Sequence, residues 1–231
     1  MPQNSPNRAP GSQGERHVQT VMGTTERAER FYQDQMLDHL NPAMKDFIAR
    51  QEMLFIATAD GQGECDSSFR SGPAGFVHVI DDHTLVYPEY RGNGVFASAG
   101  NILENPHIGL MFLDFQRDRI GLHVNGRVKI MEDERLRPHV PDLPLARVPG
   151  QRAQMWMMVQ VQEAYIHCRK HIPHLRKVGA DESWGTDDTL RKGGDFFGAK
   201  QEQEERRRAS TREREDTGGR HRVGAGSTFA R

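Results

Sequence analysis

Residues able to bind an anion are concentrated in Leu85-Val86-Tyr87-Pro88-Glu89-Tyr90-Arg91-Gly92-Asn93-Gly94 and on to Asn101. The pattern there is a strand end, a glycine-flanked loop and the start of a helix. Such a loop can turn backbone N–H groups toward an anion, and the helix N-terminus adds partial positive charge. Arg91 brings a planar fork of donors that matches phosphate, and Asn93 adds a neutral donor. The competing reading is an ordinary turn with a solvated arginine.

Other patterns also invite chemistry. His167-Cys168-Arg169-Lys170-His171-Ile172-Pro173-His174 places three imidazoles and a thiol within eight residues, ligand types that zinc uses. Their spacing matches no established finger, and no second cluster closes a site. Gly92-Asn93-Gly94-Val95-Phe96-Ala97 fits the Gly-x-Gly-x-x-Ala dinucleotide pattern, with Asp114 about 20 residues on. Against that, Pro88 to Arg91 separate the glycines from the strand, and the neighbouring turns are too tight for parallel crossovers. Met155-Trp156-Met157-Met158 reads as core or interface packing, since Met fills irregular gaps and Trp is enriched at interfaces. No residue qualifies as a general acid or base from its sequence setting.

The elements that must position these residues follow from periodicity. Thr24-Thr25-Glu26 offers an N-cap for a helix through Phe31, Met36 and Leu40, and Asn41-Pro42 starts a second helix carrying Phe47 and Ile48. Strands are predicted at Met53–Thr58, Cys65–Arg70, Gly75–Ile80 and Thr84–Tyr87, separated by turns such as Asp60-Gly61-Gln62-Gly63. A short helix from Val95 to Glu104 precedes strands at Ile108–Leu113 and Ile120–Ile130, the latter with Gly126 as a bulge or bend. A last strand runs from Met155 to His167. Short strands and tight turns make a mainly β, barrel-like or sandwich-like domain with flanking helices.

The 231 residues allow one ordinary domain with tails. The chain is 35% hydrophobic with a mean hydropathy of −0.75, but its apolar residues lie mostly between Phe47 and Ile172. Residues 1–20 and 179–231 therefore read as disordered polar segments around a domain at 21–178. The net charge of −1 supplies no global field for nucleic acid or an anionic membrane. Met1 to Gly14 lacks the pattern of a signal peptide, and Cys65 and Cys168 are too few for a disulfide scaffold, so a cytoplasmic location is expected.

Several segments taken in order resemble the pyridoxamine 5′-phosphate oxidase-like flavoproteins. They are Asp66-Ser67-Ser68-Phe69-Arg70-Ser71-Gly72-Pro73-Ala74-Gly75-Phe76-Val77, Pro88 to Gly94, Gly100-Asn101-Ile102, Asn105 to Leu110, and Val124-Asn125-Gly126-Arg127-Val128. The resemblance spans roughly residues 40 to 170. It implies a six-stranded antiparallel split β-barrel, a homodimer, and FMN in clefts between the two chains. It further implies that Ser67, Ser68 and Arg70 from the second strand, with Arg91, Gly92 and Asn93 from the loop after the fourth, hold the flavin phosphate. His123 and Asn125 would lie near the ring, and Lys170, after the His167-Cys168 pair, would contact the cofactor. The implied activity is flavin-dependent oxidation or reduction of a small molecule. The alternative is a non-catalytic carrier of flavin, deazaflavin F420 or haem. Two departures count against the vitamin as substrate: Arg91 is followed by Gly92 and Asn93 where such oxidases have adjacent cations, and their C-terminal substrate-gripping region has no match.

Overall fold

The computed structural model describes residues 10–146, 148–179 and 185–219. Parts of the tails read as disordered, at 1–9, 180–184 and 220–231, lie outside the described residues. The chain divides into two units, Met1–Gly185 and Thr186–Arg231.

In the first unit the polar N-terminus is helical where composition predicts disorder. Helix α1 (Gln13–Val21) starts with a capping box in which Ser12 and Glu15 each bond the other's backbone N–H. Helix α2 (Thr25–Gln35) packs back on it, Tyr32 donating its hydroxyl to Glu15 Oε1 at 2.5 Å. A two-residue strand β1 (Met36–Leu37) and helix α3 (Pro42–Ala49) follow, α3 capped by Asn41 and burying Phe47 and Ile48.

The remaining strands are β2 (Met53–Ala59), β3 (Cys65–Ser71), β4 (His78–Asp81), β5 (Thr84–Glu89), β6 (His107–Leu113), β7 (Gly121–Met131) and β8 (Met155–His167). Helix α4 (Ala97–Glu104) links β5 to β6, and the short α5 (Asp133–Leu136) follows β7. The sheet has eight strands rather than six, in the order β3-β2-β6-β7-β8-β5-β4, with β1 added beside β8. Every pairing is antiparallel, which excludes the crossover architecture a dinucleotide-binding fold would need. It is an α+β split barrel that does not close: β3 and β4 are its two edges.

Alternation assigns the faces. Leu54 and Ile56 of β2, Leu110 and Phe112 of β6, Leu122 and Val124 of β7, and Met157 and Val159 of β8 point into one core, joined by Phe47 and Ile48 from α3. The Met155–Met158 run belongs to packing: Met157 lies in this core. Trp156 fills a smaller cluster with Val86, Leu136, Val140 and Leu143, its indole N–H bonding Asp133.

At Asn125/Gly126 the register with β8 shifts, leaving Gln162 as the extra residue of a bulge. A Cβ on Gly126 would sit 2.1 Å from the Gln160 carbonyl oxygen, a backbone atom that cannot step aside.

In the second unit, residues expected to be disordered form helix α6 (Ala199–Gly219). Lys, Glu, Gln, Arg and Ala are strong helix formers, and i,i+4 contacts such as Arg206–Glu202 and Gln201–Glu205 support the helix without an apolar face. No helix among the described residues is long and apolar enough to cross a membrane.

Gly126→Ala should lower stability by about 1–3 kcal/mol through overpacking at the bulge, read as a reduced denaturation midpoint with an unchanged m-value.

Candidate functional site

Strand β3 is polar along most of its length and lies at a sheet edge, so its two faces present different chemistry to opposite sides of the sheet. Asp66, Ser68 and Arg70 face inward, while Cys65, Ser67 and Phe69 face outward. The six sequence-predicted phosphate ligands therefore do not form one cluster. Ser68 and Arg70 lie with the loop after β5, and Ser67 lies on the other side of the sheet.

The inner side is organised by Arg70. Its Nε and Nη2 both donate to Glu89 Oε2, at 3.0 and 2.8 Å, and its Nη1 donates to Ser68 Oγ at 2.5 Å and to the Phe69 carbonyl at 3.1 Å. Glu89 is the last residue of β5, so this ion pair ties the start of the 90–96 loop to β3. At the loop's far end Ser98, in the first turn of α4, donates to Asp66 Oδ2 at 2.8 Å. One turn further, Asn101 donates to Thr58 Oγ1 of β2 at 3.1 Å. The loop is thus bracketed against the inner face of β3 at both ends, with Arg91, Gly92 and Asn93 exposed between. Asn93 accepts the Val95 N–H through Oδ1, which leaves its amide NH₂ as the end able to donate outward. Phe96 enters the helix in the left-handed region, at φ 53°.

Burial governs the electrostatics of this corner. It pushes the Glu89 carboxyl up, against the pull of the Arg70 guanidinium. It also raises Tyr90, to about 12, and Tyr87 further still.

On the outer side a cavity of about 560 Å³ opens over one cross-strand row: Ser67, Ala57, Gly109, Asn125 and Glu163, from β3, β2, β6, β7 and β8. Its floor is flat because Ala57 and Gly109 have almost no side chain. A Cβ on Gly109 would already stand 3.4 Å from Asn125 Oδ1. Asn125 donates to Glu163 Oε2 at 3.1 Å, and His107 and the bulged Gln162 complete the wall.

The next row on this face is largely aromatic: Phe69, Phe55, Met111, His123 and Tyr165. Phe55 and Phe69 rings lie 5.5 Å apart, and His123 stacks on Tyr165 at 4.8 Å. His123 Nε2 and His167 Nδ1 are 3.0 Å apart, and burial together with His167 lowers the His123 pKa. The expected ring-side pair therefore separates into adjacent rows, with Asn125 in the cavity and His123 beside it.

Lys170 is exposed beyond the end of β8 and is not among the cavity residues. Its neighbours do not assemble a metal site. His167 bonds His123, His174 bonds the Gln116 carbonyl, and among the described residues no three His, Cys, Asp or Glu converge to hold an ion. Sequence reasoning gave no role to Glu89, Asp66 or Glu163. The first two act across strands that are distant in sequence or not adjacent in the sheet, which local spacing does not show. Glu163 was visible only as one position in the strand predicted from Met155 to His167.

The model of the pyridoxamine 5′-phosphate oxidase family matches residues 40–168, more than half of the chain. No curated protein matches. Among solved structures, HupZ of Group A Streptococcus is 20% identical, covers 55% of this chain and 92% of its own, and superposes with a TM-score of 0.40. An FMN-binding protein of Syntrophomonas wolfei is 13% identical over 65% of this chain and 96% of its own, with a TM-score of 0.41. HutZ, the heme storage protein of Vibrio cholerae, is 17% identical over 55% and 94%, with a TM-score of 0.35. With its antiparallel split barrel and the matched segment running from Leu40 to Cys168, this chain belongs to the pyridoxamine 5′-phosphate oxidase family.

Proposed function

We propose that the chain is an FMN-dependent oxidoreductase acting on a small molecule as a homodimer. The observation that carries this reading is the double tether of the 90–96 loop to β3, through Arg70–Glu89 and Ser98–Asp66. It sets a cationic, glycine-containing loop and the start of a helix beside Ser68, a donor set suited to a phosphate monoester.

The residues fit a flavin in a second respect. β3 is an edge strand, so a ligand can reach from its inner side, where Arg91, Gly92, Asn93 and Ser68 would hold the phosphate, round to its outer side. There the small-residue floor at Ala57 and Gly109 has room for a flat ring system, with Ser67 and Asn125 at its borders. A volume of about 560 Å³ lies within the usual range of small-molecule sites, roughly 300–1,000 Å³. When bound, the flavin supplies the redox chemistry, and the protein contributes binding, orientation and electrostatics. No side chain at the site is assigned a proton-transfer role.

The dimer reading rests on the outer face. Phe69 is 51% exposed, and Phe55, Met111, His123 and Tyr165 are only partly buried, forming a contiguous strip that a second copy would cover. His123 and His167 make haem the second reading, because a neutral imidazole on an open face is a potential iron ligand.

Three outcomes are expected. Native protein should release FMN on denaturation, identified by mass spectrometry, and NAD(P)H with an electron acceptor should give turnover; haem in the extract would favour the second reading. Arg91→Ala should weaken FMN by about 1.5–3 kcal/mol while leaving riboflavin, which lacks the phosphate, little changed in a fluorescence titration. Phe69→Glu should convert a dimer to a monomer in light scattering, since a charge desolvated at a packed interface is strongly unfavourable.

A further inference from the structure

Arg70 already holds an anion. Both Glu89 contacts fall on one carboxylate oxygen, and the two side chains are only 16% and 14% exposed. A guanidinium whose fork is filled by a resident carboxylate cannot accept a phosphate in the same place without releasing it. Two residues before Glu89, on the same inner face of β5, Tyr87 is fully buried, and its hydroxyl has no hydrogen-bond partner among the described residues. Among the described residues, the charged and titratable groups coupled to Glu89 are Arg70 from β3 and Tyr87 from its own strand; its register partner on β8 is Met155.

Resting on the reading of Ser68 and the 91–93 loop as a phosphate site, we propose that Arg70 belongs to that site as well and that Glu89 is its internal competitor for the phosphate. A phosphate monoester bound by the loop displaces the Glu89 carboxylate from Arg70 and replaces it as the link between loop and β3, while Ser98–Asp66 keeps the loop's far end in place. The displaced carboxyl takes one proton from solvent and turns to the Tyr87 hydroxyl. No covalent bond changes: one anionic ligand enters and one carboxylate charge is neutralised.

Two consequences follow. Phosphate binding is accompanied by proton uptake, so affinity falls as pH rises. Weak anions such as chloride or a simple carboxylate are excluded, because they cannot outcompete the buried Glu89. Burial already drives the Glu89 carboxyl upward with Arg70 holding it back, so losing Arg70 leaves only the upward push.

The test is FMN titration between about pH 7 and 8, above the second pKa of the phosphate itself at about 6, in two buffers of different protonation enthalpy. Wild type should take up protons on binding and lose affinity as pH rises, by at most about tenfold per pH unit for one proton. Glu89→Gln, which keeps an oxygen for Arg70, should bind more tightly and without pH dependence, and Tyr87→Phe should reduce the uptake.

Equal affinity and an unchanged slope in Glu89→Gln overturn the proposal. Should that variant not fold, wild-type proton uptake decides alone, and its absence overturns the proposal. A flavin-independent measurement separates the two readings: inorganic phosphate should raise the melting temperature of Glu89→Gln more than that of wild type. That stabilisation without FMN binding upholds the role of Glu89 and sinks the flavin reading. FMN binding with no proton uptake does the reverse. No response to either probe overturns both.

Discussion

The split in this barrel is fastened by side chains. In sheet order β3 and β5 are separated by β2, β6, β7 and β8, so no backbone ladder joins them, and the Arg70–Glu89 ion pair spans the gap. Pairs this enclosed are costly to desolvate, and truncating one partner typically costs about 3–5 kcal/mol because it strands the other charge. Residual solvent access at both side chains places this pair toward the low end of that range. Its position matters more than its strength. Glu89 is where β5 stops, so the pair fixes the point from which Tyr90 and Arg91 depart. Ser98–Asp66 then fixes where the chain returns, and together the two contacts define the loop.

An edge strand gives this arrangement its reach. Within a central strand, Ser67 and Ser68 would serve separate compartments divided by a hydrogen-bonded sheet. At the edge one flank of β3 carries no ladder, so no further strand stands between its two faces on that side. The bulge at Asn125/Gly126 contributes from the opposite border: it turns Gln162 toward the cavity while Val161 and Ala164 on either side keep their core positions. The floor between these borders stays flat because Ala57 and Gly109 have nothing to raise above it. Larger side chains there would fill the cavity without disturbing the core face.

Much of this was legible in the sequence, for identifiable reasons. Strands such as those predicted at Met53–Thr58 and Ile108–Leu113 announce themselves as short apolar runs between turns, and the 90–96 loop by its glycines. What escaped reading depended on partners remote along the chain. Cys65–Ser71 alternates too weakly in polarity to show which serine faces the core; that is decided by pairing with Leu54 and Ile56 on β2. Arg70 and Glu89 meet through the curvature of the whole sheet. The helices at Gln13–Val21 and Ala199–Gly219 were hidden for the opposite reason. Their support is local, a capping box in one and i,i+4 pairs in the other, whereas composition averages register only the scarcity of apolar residues.

The two faces of the sheet also handle charge differently, and this bears on how a ligand and a second chain could share it. The inner corner keeps ionised groups in opposition, so an arriving anion changes the balance there. The outer aromatic row avoids charge. In the His123–His167 hydrogen bond one ring must donate and the other accept, so at least one imidazole is neutral while the bond lasts. Burial and that neighbour both hold His123 below the usual imidazole range, keeping the row neutral near pH 7. A neutral, half-covered aromatic surface is cheap to desolvate against a second copy, and the charged loop lies on the other side of β3, outside that strip. Alternation along a single edge strand separates the surface suited to a partner from the groups suited to an anion.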